Sequence, residues 1–408
     1  MTLPIESAPS PGFAWPPKGM RENLGAARRS RQRGVTRVEL LIALALGLAV
    51  LVGLSAVYVA AKQSFRFQET GGRMQEDAMF ALETISRDLR MAGFAGCRGV
   101  EKVNIAGVDT YFPNLSLTAG APGGINGPNP LAVLESTNAE VTVQPLTPSN
   151  FVRGFDNVPA AMFATAPTSS STDSLFFSGA GFRSAGVTAA MAVASDPLTV
   201  AAGSAGFLDA TKVYNMVVAN CNSASLFAGQ LGGGGTQIVH TAATGNATVG
   251  TNAADTFTST PLYGTDAMVM PLEWSFYYVA TRPGAVTPSL YRVHYDGSAR
   301  GAAEELVSNV ESMKLHYGEN TVSDANGPTK QADVWRTTAA AVVNWDRVVA
   351  VRIGLMMVSE DNAANLDVIA PTPTLLGQSY TLPSGASTTR LRKEFSTTVV
   401  LRNRVNAR

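Results

Sequence analysis

The chain has 408 residues, 45% of them hydrophobic and 15% charged, with 31 basic and 31 acidic side chains. A neutral chain that is poor in basic residues lacks the cationic surface on which nucleic-acid binding depends. The length exceeds that of a typical single domain, so we expect one core that carries large insertions.

An uncharged run near the amino end is the first predicted element. Residues 40–61 contain no formal charge and are rich in Leu, Ala and Val. As a helix, these 22 residues span about 33 Å, which is enough to cross a bilayer. Arginines cluster just before the run, at residues 28–33. The positive-inside rule then places the amino end in the cytoplasm, and we expect the chain after Lys62 to be exported.

Glu39 lies immediately before this run and five residues after Gly34. A carboxylate in apolar surroundings either takes up a proton or finds a cation, so this position needs a partner. The run is longer than the apolar segment of a secretory signal, roughly 7 to 15 residues, although residues 59–61 form a weak cleavage site. The remaining interpretation is a cut on the cytoplasmic side, which leaves the helix attached to the mature chain.

The segment from Gly34 to Leu44, GVTRVELLIAL, resembles the prepilin signal of type IV pilins and type II secretion pseudopilins. In that family a prepilin peptidase cuts after the glycine and methylates the new first residue, and glutamate stands at the fifth mature position. The resemblance implies cleavage after Gly34, a methylated Val35, and a registration role for Glu39, which would bind the terminal amine of a neighbouring subunit. The sequence departs from the pattern at Val35, where phenylalanine is usual, and at Arg37, where an apolar residue is usual.

The predicted leader, residues 1–34, is long and begins with a proline-rich stretch. Met20 is an internal start that would shorten it, and we expect translation to begin there rather than at Met1. A peptide from the residues upstream of Arg21 would contradict this expectation. Removal of the leader leaves 25 basic and 29 acidic side chains, which again predicts no nucleic-acid partner.

The helical pattern continues past Lys62 with apolar residues at spacings of three and four, which predicts an amphipathic half that packs on a domain. This stripe consists of Ala78, Leu82, Ile85, Leu89 and Ala92. Gly71 and Gly72 interrupt the pattern. Each glycine costs about 1 kcal/mol of helix stability, so the pair is either a hinge or a tolerated weak point.

Two blocks of sequence extend the resemblance. One lies at the helix end, where residues 87–97 read RDLRMAGFAGC, and the other runs from Leu306 to Arg404. Over residues 34–100 and 268–405 the chain resembles the PilW family of type IV pilus minor pilins. The region between these blocks matches no motif.

Five strand-length segments rich in β-branched and aromatic residues follow residue 268. They are residues 274–279, 290–295, 313–317, 348–358 and 395–401. Together with the long helix they predict an α+β, pilin-like fold, in which a helix spine packs on an antiparallel sheet. The predicted regions are a leader (1–34), a membrane or filament-core helix half (35–61), an amphipathic helix half (62–96), a variable β-rich insertion (97–267) and a pilin-like sheet region (268–408).

The middle region is rich in Gly, Ala, Ser and Thr. Short apolar stretches at residues 175–177 and 213–218 read as strands separated by loop composition. We therefore favour an ordered β-rich insertion over a loosely ordered one.

Cys97 and Cys221 are the chain's two cysteines, and both lie on the predicted exported side. An oxidising periplasm favours a disulfide between them, with two free buried thiols as the alternative. His240, His294 and His316 are far apart in the sequence. His294 and His316 each precede a tyrosine in strand-like sequence, which favours sheet residues over metal ligands. We expect no cofactor, no metal and no catalytic residue.

These features predict a non-enzymatic minor pilin of a type IV pilus. It would be anchored once in the bacterial inner membrane, with its carboxyl-terminal domain in the periplasm, and then enter the pilus filament or its tip. The PilW resemblance implies prepilin peptidase, other minor and major pilins and a large tip adhesin as partners. It also implies roles in pilus assembly, twitching motility and adhesion.

Two alternatives remain. A minor pseudopilin of a type II secretion system has the same leader and a related domain. A signal-anchored periplasmic enzyme or receptor would instead carry a cluster of polar catalytic residues in the middle region.

Overall fold

The computed structural model describes residues 35–96, 101–105, 108–112, 114–117, 151–159, 172–241, 257, 262–324, 327–328, 331–359, 373–383 and 386–405. Gly34 and Cys97 lie outside these ranges. The long helix α1 is a continuous α-helix over Arg37–Leu89. A single helical turn, α2, covers Arg402–Val405, and a 3-10 helix covers Trp345–Arg347. The chain divides into two compact units, residues 1–63 and 64–408.

Twenty-one strands lie within the described residues. In chain order they are β1 (Glu101–Ile105), β2 (Val108–Phe112), β3 (Asn114–Leu117), β4 (Val152–Phe155), β5 (Ser174–Ala180), β6 (Ala185–Gly186), β7 (Leu198–Thr199), β8 (Val213–Ala219), β9 (Ser223–Gly232), β10 (Gln237–Val239), β11 (Met268–Ala280), β12 (Ser289–Tyr295), β13 (Glu304–Ser308), β14 (Val310–Glu319), β15 (Ser323–Asp324), β16 (Gly327–Pro328), β17 (Val334–Arg336), β18 (Val348–Val358), β19 (Thr374–Leu375), β20 (Gln378–Ser379) and β21 (Arg392–Val400). They form an 11-stranded sheet, a 4-stranded sheet and three 2-stranded sheets.

Strand β11 organises the 11-stranded sheet. Its first residues pair with β6 and β8, and its remaining residues pair with β5 and β12. The predicted boundary at residue 267 therefore does not separate two structures, because β5 and β8 of the predicted insertion pair directly with β11. The physical reason is the length of β11, which has 13 residues and offers both edges to strands from the middle of the chain.

The second sheet belongs entirely to the predicted carboxyl-terminal region. Its strands are arranged in the order β17-β14-β18-β21, and each neighbouring pair is antiparallel. All five strands predicted after residue 268 are confirmed, as are the two predicted in the middle region. The α+β fold class is thus confirmed.

The predicted apolar stripe is buried. Ala78, Leu82, Ile85 and Leu89 of α1, and Ala92 in the turn after it, are each at most 8% exposed. They share one hydrophobic cluster with inward-facing residues of β14 and β18. Residues at spacings of three and four lie on one face of a helix, which explains why the stripe is buried as a unit.

Helix α1 ends earlier than the predicted boundary at residue 96. The chain turns at residues 90–93, where Gly93 adopts a left-handed φ of 70°. The Gly93 N–H then donates to the Ser178 carbonyl at 2.9 Å, and the Ala180 N–H donates to the Phe94 carbonyl at 2.7 Å. The segment after the helix is therefore bonded to β5 instead of continuing as a helix.

The glycine pair at residues 71 and 72 does not interrupt α1. The helix is continuous through both residues, and a Cβ atom built on either glycine meets no atom within 4 Å. Packing therefore does not require glycine at these positions.

Tyr317 explains the close packing beside β14. Its side chain is fully buried and meets the Trp345 ring edge to face, with 4.9 Å between the ring centroids. Gly154 in β4 lies directly against the Tyr317 hydroxyl, where a Cβ atom would overlap it. The neighbouring Gly318 is also confined, because its Cβ would lie 2.7 Å from the Cβ of Ala332.

A buried ion pair joins β14 to β21. Arg392 donates through Nε to one oxygen of Glu311 at 2.6 Å and through Nη2 to the other at 2.8 Å. Both side chains are almost fully buried, and the Tyr380 hydroxyl also donates to Glu311. Bidentate geometry and a third donor compensate the desolvation of this pair.

We predict that Gly154→Ala lowers the free energy of unfolding by about 1 to 3 kcal/mol, because the added methyl group must displace Tyr317 in a closed core. Thermal unfolding of the full chain in nonionic detergent measures the effect. Gly186→Ala in β6 is the matched control, since a Cβ at Gly186 meets nothing within 4 Å. Equal stability of the two variants would contradict the packing account.

Candidate functional site

The amino end of α1 carries a reciprocal hydrogen-bonded cap. The Thr36 N–H and the Thr36 hydroxyl both donate to Oε2 of Glu39, at 2.9 and 3.1 Å. The Glu39 N–H in turn donates to Oγ1 of Thr36 at 3.2 Å. This is the capping box of a threonine followed three residues later by glutamate, and it satisfies two backbone N–H groups that the helix leaves unbonded.

The cap gives Glu39 a partner that the sequence analysis missed. The signal was present, since Thr36-Arg37-Val38-Glu39 has the spacing of a capping box. Oε2 is occupied, whereas Oε1 has no hydrogen-bond partner among the described residues. Oε1 of Glu39 therefore remains available to accept a hydrogen bond from a further donor. Val35, the predicted methylated terminus, is exposed just before the cap.

The amino-terminal half of α1, which follows the cap, exposes apolar side chains on all of its faces. From Leu40 to Val59, each large hydrophobic side chain is between 51% and 69% exposed. By length and composition, α1 could cross a membrane, and its most apolar stretch has no buried residue. Such a surface is unstable in water and requires either lipid or other apolar helices.

Asp88 fixes the other end of α1 to the 11-stranded sheet. The Tyr277 hydroxyl of β11 donates to Oδ2 of Asp88 at 2.6 Å, and Nη1 of Arg292 lies 3.5 Å from the same oxygen. Arg292 also donates to Glu304 at 2.8 Å through Nη2. Burial, followed by the charge of Asp88, raises the pKa of Tyr277 and keeps it protonated as a donor.

Asn403, near the carboxyl end of the chain, hydrogen-bonds to the turn that follows α1. Its side-chain amide donates to the carbonyl of Arg90 at 3.3 Å and to that of Ala92 at 3.1 Å. Both carbonyls lie in the turn after α1, where no further helical turn supplies a donor, so this amide satisfies groups that would otherwise need water. The two parts of the chain that support the family resemblance thus meet here. We call this contact, of Asp88, Arg90 and Ala92 with Tyr277, Arg292 and Asn403, the helix junction.

A cavity of about 180 Å³ lies beside this junction. Its wall includes Asp88, Met91, Glu273, Arg292 and His294. Burial raises the pKa of Glu273, and burial together with Arg292 lowers the pKa of His294. Ser275 lies 3.2 Å from Nδ1 of this histidine. Sequence reasoning did not find this cluster, because its members come from α1, the turn after it, β11 and β12, which are distant in the sequence.

The predicted disulfide involves a residue outside the described ranges, Cys97, and therefore stays a prediction. Cys221 lies in the turn between β8 and β9. The neighbouring residues are close together, since a Cβ on Gly96 would lie 2.5 Å from the Cβ of Ala219. Gly96 also has a left-handed φ of 105°, which favours glycine.

Of the other two histidines, His316 lies in a strand, as predicted, and His240 does not. His316 is part of β14, and His240 follows β10, where its Nε2 lies 2.7 Å from the Asp196 carbonyl. Within the described residues, no three His, Cys, Asp or Glu side chains are grouped to hold a metal ion.

Comparison with known proteins supports the family resemblance. Residues 276–403 match the family model of type IV pilus-assembly protein W. Among solved structures, a type IV-like pilin from Thermus thermophilus aligns at 19% identity over 32% of this chain, with a TM-score of 0.19. That alignment spans 66% of the Thermus pilin, just under two thirds. No curated protein sequence matches the chain significantly.

We predict that Asp88→Ala lowers the free energy of unfolding by about 1 to 3 kcal/mol, because it leaves the buried Tyr277 hydroxyl without an acceptor. Tyr277→Phe in the Asp88→Ala background should cost much less than in the parent chain, since the partner is already gone. Denaturant unfolding of the two single variants and the double variant measures this coupling. Glu83→Ala, an exposed acidic residue of the same helix, is the control, and additive effects would contradict a direct Asp88–Tyr277 interaction.

The raised pKa of Glu273 predicts a pH-dependent stability. Burial is the main cause, Asp88 and Asp296 add to it, and Arg183 opposes it. The folded chain therefore binds this proton more readily than the unfolded chain. The resulting stabilisation is complete below the ordinary pKa of 4.5 and is lost as pH rises through the folded-state pKa. Glu273→Gln should thus gain stability relative to the parent as pH rises through this window; a difference that is constant with pH in thermal unfolding would contradict it.

Proposed function

We propose that this chain, whose residues 276–403 match the type IV pilus-assembly protein W family, is a minor pilin of a type IV pilus. One observation carries the proposal. The side chains that hold the end of α1, namely Tyr277, Arg292 and Asn403, all lie within the matched segment. The segment that matches the family is therefore held by hydrogen bonds and an ion pair at the carboxyl end of α1 and the turn after it. The amino-terminal half of this helix is apolar and is capped by Thr36 and Glu39.

Processing at the amino end is part of the proposal. Cleavage after Gly34 by a prepilin peptidase would make Val35 the methylated terminus and leave the Thr36–Glu39 cap intact, because the cap uses no atom before Thr36. The mature helix would remain in the inner membrane with its amino end in the cytoplasm. The domain from residue 64 onward would lie in the periplasm.

Glu39 is proposed to set the register of assembly. Its Oε2 is held by Thr36, while Oε1 can accept from the terminal amine of a neighbouring subunit. Two opposite charges in an apolar filament core attract strongly, because little water screens them. The cap would orient the carboxylate before the neighbour arrives.

A disulfide between Cys97 and Cys221 is proposed for the periplasmic domain. The contact between Gly96 and Ala219 supports it, because these residues lie one and two positions before the cysteines. The bond would close a loop of about 120 residues, which in the chain-entropy model stabilises the fold by up to about 4.7 kcal/mol.

The proposed partners are prepilin peptidase, other minor and major pilins, and a large tip adhesin. The proposed role is to initiate pilus assembly at the tip, and thereby to support twitching motility and adhesion. The family match favours the pilus over a type II secretion system, whose pseudopilins share the leader. The proposal assigns no catalytic residue to the chain.

The experiment separates the charge of Glu39 from its capping role. Glu39→Gln keeps a side chain that can complete the capping box but removes the charge, whereas Thr36→Val removes the cap and keeps the charge. We expect Glu39→Gln to lower the amount of the protein in sheared pili at least about tenfold, the equivalent of roughly 1.4 kcal/mol, and Thr36→Val to lower it less. Quantitative mass spectrometry of sheared pili and of membranes measures both fractions.

Glu69→Gln is the matched control, because Glu69 is an acidic residue of the same helix that pairs with Arg73 at 2.8 Å. Its pilus content should equal that of the parent chain. Absence of the parent protein from pili would contradict the proposed function. Equal incorporation of Glu39→Gln and the parent would contradict the registration role.

A further inference from the structure

We propose that the cavity beside the helix junction binds a primary ammonium group carried on a short alkyl chain, with Glu273 as the anionic partner. The cavity is lined by residues from segments 88–91, 177–182, 273–275 and 292–294, and its proposed ligand does not depend on a role in a pilus. The ligand chemistry fits two sources, a free alkylamine or a lysine side chain of another protein.

Glu273 is a carboxylate without a committed donor. Its side chain is only 20% exposed, and it has no hydrogen bond to any described residue. Nη2 of Arg183 lies 4.0 Å from Oε1 of Glu273, at the outer limit of an ion pair. Arg183 is itself 58% exposed, and its guanidinium lies over the Phe207 ring at 5.7 Å. A desolvated carboxylate gains most from a donor that carries a positive charge.

The other charges around the cavity do not replace that donor. Arg292 is shared between Asp88 and Glu304, so its charge is already compensated. Burial is the main cause of the raised pKa of Glu273, and Asp296 and Asp88 add repulsion that the exposed Arg183 only opposes. Burial and Arg292 lower the pKa of His294, which favours its neutral form. The cavity therefore has an excess of negative charge, which selects a cation over an anion.

The shape of the cavity favours an alkyl cation. Met91, Phe177 and Phe182 supply apolar wall, and Phe182 is 72% exposed. The volume of about 180 Å³ exceeds that of an engineered cavity of roughly 150 Å³ that binds benzene, a molecule of six carbon atoms. A four-carbon chain with a terminal ammonium group fits within this space and can pack against the apolar wall.

Two glycines keep this space open. A Cβ on Gly181 would lie 2.5 Å from the Glu273 carboxylate, and a Cβ on Gly179 would lie 2.6 Å from the Met91 carbonyl. Side chains at these positions would displace the Glu273 carboxylate or the turn after α1. The glycines thus let β5 and the residue after it lie close to this turn while Glu273 remains at the cavity wall.

Saturation-transfer NMR with n-butylammonium chloride and the full chain in nonionic detergent tests the proposal. We expect saturation transfer to the butyl protons, and at least about tenfold weaker binding to Glu273→Gln, because a hydrogen bond to a charged group is lost. Glu305→Gln should bind like the parent chain, since Glu305 pairs with Arg282 at 3.6 Å and does not line the cavity. Absence of transfer in the parent chain, or equal binding by Glu273→Gln, would overturn the proposal.

Tetramethylammonium provides a test that needs no variant. It has the same charge but no N–H donor, so we expect it neither to bind measurably nor to displace n-butylammonium from the parent chain. Equal binding of both cations would overturn the assigned hydrogen bond to Glu273. This test uses only the parent chain, so it remains valid even if Glu273→Gln fails to fold.

A third probe, N-acetyl-lysine N-methylamide, distinguishes the two sources. Tighter binding of this lysine derivative than of n-butylammonium supports a protein lysine as the ligand, because the peptide groups then add contacts at the exposed Phe182. Tighter binding of n-butylammonium supports a free alkylamine. Binding of neither probe would overturn the proposal.

Discussion

The apolar surface of the first half of α1 is the constraint on which the rest of the structure depends. No described residue covers the side chains between Leu40 and Val59. Roughly 25 cal/mol of free energy is lost for each Å² of apolar surface left in water, so this half requires a bilayer or a bundle of similar helices. The Thr36–Glu39 cap satisfies the backbone at the start of this half without using any group from the domain.

The second half of α1 meets the opposite requirement. Its apolar stripe is buried in one cluster with β14 and β18, and its end is fixed by Asp88 and Asn403. These polar contacts are directional, so they specify where the helix stops in a way that apolar packing alone does not. The segment after the helix then bonds to β5, which ties the middle of the chain to the same junction.

The sequence predicted the local elements well and the long-range pairing poorly. The stripe from Ala78 to Ala92 and the predicted strands depend on periodicity and residue type, which are local properties. The pairing of β5 and β8 with β11 depends on contacts between distant segments, which the composition change at residue 267 does not indicate. The same reason explains why the Asn403 amide, the Glu311–Arg392 pair and the cavity at Glu273 were not foreseen. The Thr36–Glu39 cap is different, because its local signal was present and was not used.

The mature amino terminus tests the central claim, that this chain is a processed pilin, most directly. Intact mass and peptide sequencing should be measured on the protein from membranes of cells with and without prepilin peptidase. The account predicts a chain that begins at N-methylated Val35 only when the peptidase is present. An uncut chain in both strains, or a cut near Ala61, would contradict it.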